Sequence, residues 1–225
     1  ISALFPLWLL KYLPNMPACH ISISLGLEGP NNTLTTGPSA GLQAVGEAFR
    51  IIELGSAEAM LAGGAESKVN PVGYSFYRAL GVLVDVNGFD PKKSCRPFDA
   101  DARGIVVGEG SGFLVLEDAE HAKRRGARIY ARILGLGSSS AEGRSIAMEA
   151  ALEDAGLHAR DLHYVQASGL GTPEEDAREA LAIERVFGRG RSDLWVTSSK
   201  PVMGFTGFSA GALDLIVSTL ALKNG

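Results

Sequence analysis

Gly37-Pro38-Ser39-Ala40-Gly41 has the form Gly-x-Ser-x-Gly and stands between a β-prone run and a helical pattern, as a hydrolase nucleophile elbow does. Ser39 is thus a candidate nucleophile, with Asp154 as acid and His158 or His163 as base. Against this, the 158–163 segment reads as an exposed helix-to-strand loop, and no His-Gly-Gly run supplies an oxyanion hole. The plainer reading is that Ser39 caps the helix that follows, its oxygen accepting from open N–H groups. Lys200 is a candidate anion-binding or catalytic cation. It is equally a structural ion-pair member, with Glu66 or Asp214 as its carboxylate. Asp99, Asp101 and Arg103 form a charge cluster with a metal-like look. Gly108-x-Gly110-x-Gly112 precedes a strand, not a helix, so no helix N-terminus offers it to a phosphate. Cys19 and Cys95 lack metal-site spacing and read as structural thiols, and His20 and His121 are isolated. No metal-ligating or cofactor-binding set emerges.

The elements that must hold these residues alternate in period. His20–Leu27 alternates apolar and polar positions as a half-buried strand does, and Thr33–Thr36 is a short β-prone run after a Gly-Pro-Asn-Asn turn. From Ser39 to Leu54 the period becomes helical, with Leu42, Val45, Phe49 and Ile52 on one face and Gly55 as the stop. Ala59–Ala65 and Gly112–Leu116 are short apolar runs of the buried-strand kind, separated by a loop-rich stretch from Asn70 to Arg103. Asp118–Arg125 reads as a surface helix closed by Gly126, Ile129–Leu136 as a strand, and Glu142–Ala155 as a helix closed by Gly156. Tyr164–Ala167 and Leu194–Thr197 read as strands. Thr172-Pro173-Glu174-Glu175 opens a helix with a capping box, and Ser209–Leu222 is a second helix rich in small residues. This order predicts an α/β protein of sheets covered by helices, with weak internal symmetry and a seam near 118–128.

Composition narrows the function classes. The chain has 225 residues, 46% hydrophobic and 20% charged, and a net charge of −4, with no basic block beyond Lys123-Arg124-Arg125. That favours neither nucleic acid nor a membrane as partner. Two cysteines suit a reducing cytoplasm. The apolar opening Ile1–Leu10 is broken by Pro6 and ended by Lys11, too short to span a bilayer and unlike a signal peptide, so it reads as buried or interface structure.

Several segments, in order, resemble the β-ketoacyl-ACP synthases, the condensing enzymes of fatty-acid and polyketide synthesis. They are Gly26–Asn31, the elbow, Ala62–Glu66, Arg96–Gly104 with Gly108–Gly112 and Leu114–Glu117, Tyr164–Pro173, and Ser198–Lys200 with Gly204-Phe205 and Ala210–Ala212. The resemblance implies an α/β thiolase-like fold with layered αβαβα architecture and two pseudo-symmetric halves. Residues 1–118 would be the remainder of the N-terminal half, and residues 127–225 the start of the C-terminal half. Because the chain opens inside a family segment and closes just after a helix, it reads as an internal fragment, incomplete at both ends.

The resemblance also assigns catalytic positions, and here the sequence departs from the family. The nucleophilic Cys falls on Pro38, the first His on Ser168 with its following Thr on Leu170, and the second His on Phe205. Lys200 and the acidic Asp214 are retained, and the resemblance places Asp99, Asp101 and Arg103 in a buried polar network that supports the fold. Proline offers neither a thiol nor an N–H for an oxyanion hole, phenylalanine donates no hydrogen bond, and serine offers one hydroxyl. A longer family insertion lining the approach to the active site is reduced here to Ser138–Ser145. The expectation is a condensing-enzyme homologue without intact catalytic residues, acting as partner subunit to an active ketosynthase in the manner of a chain-length factor. The assembly would be a heterodimer or a homodimer, with acyl carrier protein as a further partner. The rivals are a serine acyl hydrolase or acyltransferase using Ser39, and a lone acyl-binding protein.

Overall fold

The computed structural model describes residues 13–85, 90–140 and 143–224, so Ile1–Leu10 lies outside the described residues. Its order is α1 (Met16–Leu25), α2 (Ala40–Glu53), β1 (Ala59–Ser67), α3 (Pro71–Ala79), β2 (Glu109–Glu117), α4 (Ala119–Arg124), α5 (Arg144–Ala155), β3 (Tyr164–Gln166), α6 (Pro173–Phe187), β4 (Trp195–Thr197), α7 (Lys200–Met203) and α8 (Ala210–Asn224). β1 and β2 pair antiparallel in continuous register from Ala59 opposite Glu117 to Ser67 opposite Glu109. β3 and β4 pair in parallel.

Helices α2 and α8 pack on each other and on the β1–β2 pair, with Val45 and Ala48 meeting Met60, Ala62, Leu114, Leu116 and Leu215. On the other sheet, α5 and α6 bury Met148, Leu152, Ile183 and Phe187 against Ala167, Val165 and Leu194. The described layers therefore run sheet, helix pair, sheet, helix pair. The two glycine-rich strands can approach only without side chains: a Cβ on Gly63 would lie 2.0 Å from the Gly112 carbonyl.

α2, β1, β2, α4, α5, α6 and α8 follow the periodicities and glycine stops of the sequence. Gly55 adopts φ 71° and its N–H returns to Ile52, as a left-handed helix end requires. Other expectations are corrected. His20–Leu27 is not a strand: residues 20–25 lie in α1, which has Pro17 in its first turn and is closed by Gly26 with φ 63°, the N–H of Leu27 returning to Ser22. Its alternating Ile23 and Leu25 are 76% and 64% exposed, so the alternation records no buried face among the described residues. Thr33–Thr36 and Ile129–Leu136 form no strand among the described residues. The stretch after Asn70 is loop-rich as expected and also holds α3, which the Asn70 side chain starts by accepting from the Gly73 N–H. The α2 face is also shifted. Leu42 is exposed, and Ala40, Gly41, Val45, Gly46 and Ala48 are buried: Val45 and Ala48 pack on the sheet, a Cβ on Gly41 would sit 2.8 Å from the Phe208 carbonyl just before α8, and one on Gly46 would sit 2.6 Å from Leu136. Thr172 precedes α6 but makes no capping bond, and its buried hydroxyl has no partner among the described residues.

At the end of β2, Glu117 receives Arg125 through Nε and Nη2, both at 2.7 Å, and also contacts the His121 ring. The Arg125 guanidinium first, then His121, against a desolvation cost, draws the Glu117 carboxyl down to about 2. A depressed carboxyl stabilises the fold above its unfolded value near 4.5, and that contribution is lost as pH falls toward 2. Glu117→Gln is therefore expected to flatten the pH dependence of stability between about 4.5 and 2, read from urea midpoints across that range.

Candidate functional site

Three loops bring the singled-out residues to neighbouring places. The first is the elbow. Thr36 leads into Gly37, whose φ of 76° turns the chain into a 3-10 turn over Gly37–Ser39 that continues as α2. Pro38 and Ser39 are both exposed. The Ser39 hydroxyl does not cap α2 but donates backward to the Thr36 carbonyl at 3.2 Å. Its proposed partners are engaged elsewhere. Asp154 accepts from Arg50 at 2.6 Å and from the Leu136 N–H at 2.8 Å, His158 starts a turn closed by Asp161, and exposed His163 lies 4.0 Å from Asp193.

The elbow has a twin. Thr206-Gly207-Phe208-Ser209-Ala210-Gly211 repeats Thr36-Gly37-Pro38-Ser39-Ala40-Gly41 in all but the third residue. Gly207 has φ 58°, the Ser209 hydroxyl donates to the Thr206 carbonyl at 2.8 Å, and α8 follows as α2 does. The two turns pack together, Gly41 against Phe208 and Gly211 against Leu42. The repeated hexapeptide was visible in the sequence, beneath the weaker signal of two helices rich in small residues.

The second loop carries Ser168. Its N–H and that of Gly169 donate to the two oxygens of Glu179 at 2.7 and 2.9 Å. One helical turn earlier, buried Asp176 accepts the Gly171 N–H at 3.1 Å and the Phe98 N–H at 2.8 Å. Phe98 is held at φ 61°, an uncommon conformation for a bulky residue. Asp176 and Glu179 were missed by sequence reasoning, since acids early in α6 look like ordinary complements to the helix dipole. Asp99 and Asp101 are not in a buried network. They face solvent and share Arg96, at 2.9 and 3.6 Å.

The third loop runs from Ser199 to Phe205. Lys200, 2% exposed, donates to Asp214 at 2.7 Å, so its carboxylate is Asp214, while Glu66 lies 3.4 Å from Lys68. Ser199 also donates to Asp214, and Gln166 reaches it at 3.4 Å. The Cys95 thiol donates to the Lys200 carbonyl at 3.0 Å; burial pushes this thiol up, with Asp176 adding and Lys200 opposing. Phe205, 7% exposed, sits among Ile105, Val107 and Ala210, with its ring edge-on to Tyr77 at 5.8 Å. Burial raises the Tyr77 hydroxyl as well. Leu170 of the second loop packs on this same cluster. The twin turn follows Phe205 directly, so the elbow, the Ser168 loop and the Lys200 loop surround one another. Chemically the assembly holds a mutually neutralised buried ion pair beside an apolar plug. Among the described residues no group of three His, Cys, Asp or Glu is placed to hold a metal ion.

Two matching turn–helix units, packed through α2 and α8 between two sheets, define a thiolase-like α/β protein. The chain belongs to the β-ketoacyl synthase family. Residues 3–122 match the family's N-terminal domain and residues 130–225 its C-terminal domain. It is 37% identical to 3-oxoacyl-[acyl-carrier-protein] synthase 2 of Staphylococcus aureus over 97% of this chain and 57% of that protein. It is similar to the solved ishigamide ketosynthase/chain length factor, with 31% identity and a TM-score of 0.85 over 95% of this chain and 53% of the other. A type II PKS acyl-carrier protein in complex with its ketosynthase bound to the hexaketide matches at 30% identity and TM-score 0.83, covering 90% of this chain and 52% of that one. The chain thus spans about half the length of the relatives it matches.

Proposed function

We propose that this chain is a ketosynthase-family subunit without condensing chemistry, which pairs with an active ketosynthase and contributes shape to the acyl-binding assembly. The observation that carries the reading is Phe205. At the position that the family resemblance gives to a catalytic imidazole, a phenyl ring is locked into an apolar cluster against Tyr77. Pro38 and Ser168 support it, since neither brings a thiol or an imidazole, and the Ser168 N–H is already taken by Glu179. In this reading 1–118 and 127–225 are the parts of the two ketosynthase halves, and the assembly acts in the cytoplasm. The relatives solved as a ketosynthase/chain length factor and as a ketosynthase with an acyl-carrier protein support ketosynthase and carrier protein as the partner classes.

Condensation needs a nucleophile that is acylated and then displaced. Incubation with acyl-ACP is therefore expected to leave the intact mass of the chain unchanged, and an acyl adduct in the mass spectrum would overturn the non-catalytic reading. Co-expression with a ketosynthase bearing the intact Cys is expected to yield a co-purifying complex; two proteins that elute separately would remove the partner role. A serine-directed phosphonate probe is expected not to label Ser39, whose hydroxyl is turned toward Thr36.

A further inference from the structure

Tyr77 is a buried phenol whose hydroxyl the protein leaves unmatched. α3 inserts the ring, 8% exposed, among Ile105, Val107, Phe205 and Ala210, with Val82, Leu83 and Leu170 at the margin. Two of these neighbours, Phe205 and Leu170, stand where the family resemblance places the second catalytic imidazole and the Thr after the first. A phenylalanine would fill the same space. The added oxygen needs a reason, because a buried hydroxyl costs free energy unless it is hydrogen-bonded. Among the described residues this hydroxyl has no hydrogen-bond partner, yet it is not sealed, since the one fully buried side-chain polar atom without a partner there is the Thr172 hydroxyl. The phenol oxygen therefore reaches space that water or a ligand enters. The nearby carboxylate is Glu66, which lies against Gly207 and faces Lys68 at 3.4 Å instead of accepting from Tyr77. Burial first, and the Glu66 charge second, raise the hydroxyl, so it stays a protonated donor.

We propose that the Tyr77 hydroxyl donates to a carbonyl oxygen of a bound acyl group, and so selects acyl groups that carry such an oxygen beside this apolar cluster. The proposal rests on the reading that this chain contributes to an acyl-binding assembly. Hydrocarbon suits the walls, because the other members of the cluster carry no polar side-chain atom. One donor in apolar surroundings fixes the place and orientation of one acceptor. That acceptor is uncharged. A carboxylate would meet the charge of Glu66, and Lys200, the buried cation of the neighbouring loop, is already neutralised by Asp214. An acyl thioester has a carbonyl at its head, and an incompletely reduced chain has a second one two carbons further on. Either supplies the same chemistry.

The test compares the full chain with its Tyr77→Phe variant, using calorimetric titration with S-octyl-pantetheine, octanoyl-pantetheine and 3-oxooctanoyl-pantetheine. The variant keeps the ring and removes a hydroxyl that has no protein partner, so its urea midpoint is expected not to fall. It is expected to bind a carbonyl-bearing probe about three- to tenfold more weakly than the parent, and S-octyl-pantetheine equally well. A loss already present with octanoyl-pantetheine assigns the head carbonyl; a loss confined to 3-oxooctanoyl-pantetheine assigns the chain carbonyl. Infrared spectra with carbon-13 at one carbonyl or the other give a second reading. The stretch of the assigned carbonyl is expected to move to lower frequency on binding, and Tyr77→Phe is expected to abolish that shift. Equal affinity of both proteins for every probe overturns the proposal and leaves the acyl-binding reading standing. An equal loss with S-octyl-pantetheine also overturns it, since packing and not the hydroxyl would then be at work. Absence of saturable binding by any probe to the parent chain overturns both the proposal and the acyl-binding reading.

Discussion

Asp214→Ala is expected to be among the most destabilising single substitutions in this chain, at about 3–5 kcal/mol. The reason is what stays behind. Lys200 is 2% exposed and donates to Asp214 at 2.7 Å, so removing the carboxylate leaves an ammonium in the interior with no opposite charge. Ser199 and Gln166 lose their acceptor in the same step. The double variant Lys200→Met with Asp214→Leu removes both charges and keeps volume, and is expected to recover most of the loss. Urea midpoints for the two single variants and the double variant form the cycle that measures the coupling. A loss below about 1 kcal/mol for Asp214→Ala would mean that the pair is solvated, against the burial described. A large loss with recovery would explain retention of this ion pair without any reference to chemistry.

Pro38→Cys is expected to create a thiol that iodoacetamide alkylates about tenfold or more faster than Cys95 at neutral pH. The position lies in the turn that opens α2, where the unpaired N–H groups and helix dipole favour a thiolate. Cys95 is the internal reference, because burial pushes its thiol up and its proton is held by the Lys200 carbonyl. Pro38 is exposed and sits between Gly37 and Ser39 in a backbone that Cys also adopts, so the substitution leaves the fold in place. The twin turn strengthens the expectation. Thr206–Gly211 takes the same path with Phe208 in the third place, so the turn is held by its Thr, Gly, Ser and following Ala-Gly. Alkylation of the new thiol no faster than Cys95 would show that the elbow lost its electrostatic bias along with its nucleophile.

How far the sequence spoke for itself differs from element to element. α2 was legible because a helical period met a glycine stop, and both act within a few residues. Its small residues marked a closely packed helix and Val45 is buried as its period implied, but Leu42 is exposed, because which side of α2 meets the turn before α8 at Gly41 and Leu136 at Gly46 is set by distant segments. α1 looked like a strand through Ile21, Ile23 and Leu25. Alternation predicts a strand only where one face is buried, and two of those residues are exposed. Thr172-Pro173-Glu174-Glu175 carried a capping signature that was not used, and the clamping carboxylates turned out to be Asp176 and Glu179.

By itself the sequence determined what is set locally: the left-handed turns at Gly37, Gly55 and Gly156, the Asp118 cap, the paired hexapeptides, and a family resemblance in which Pro38, Ser168 and Phe205 stand at the assigned catalytic places. Those features depend on φ preferences and side-chain types within a few residues. Only the tertiary structure decided which carboxylate neutralises Lys200, which acids tie down the Ser168 loop, and that Phe205 is packed shut by Tyr77. Each of these joins segments far apart in the chain, and their distances are set by packing, which no local pattern encodes.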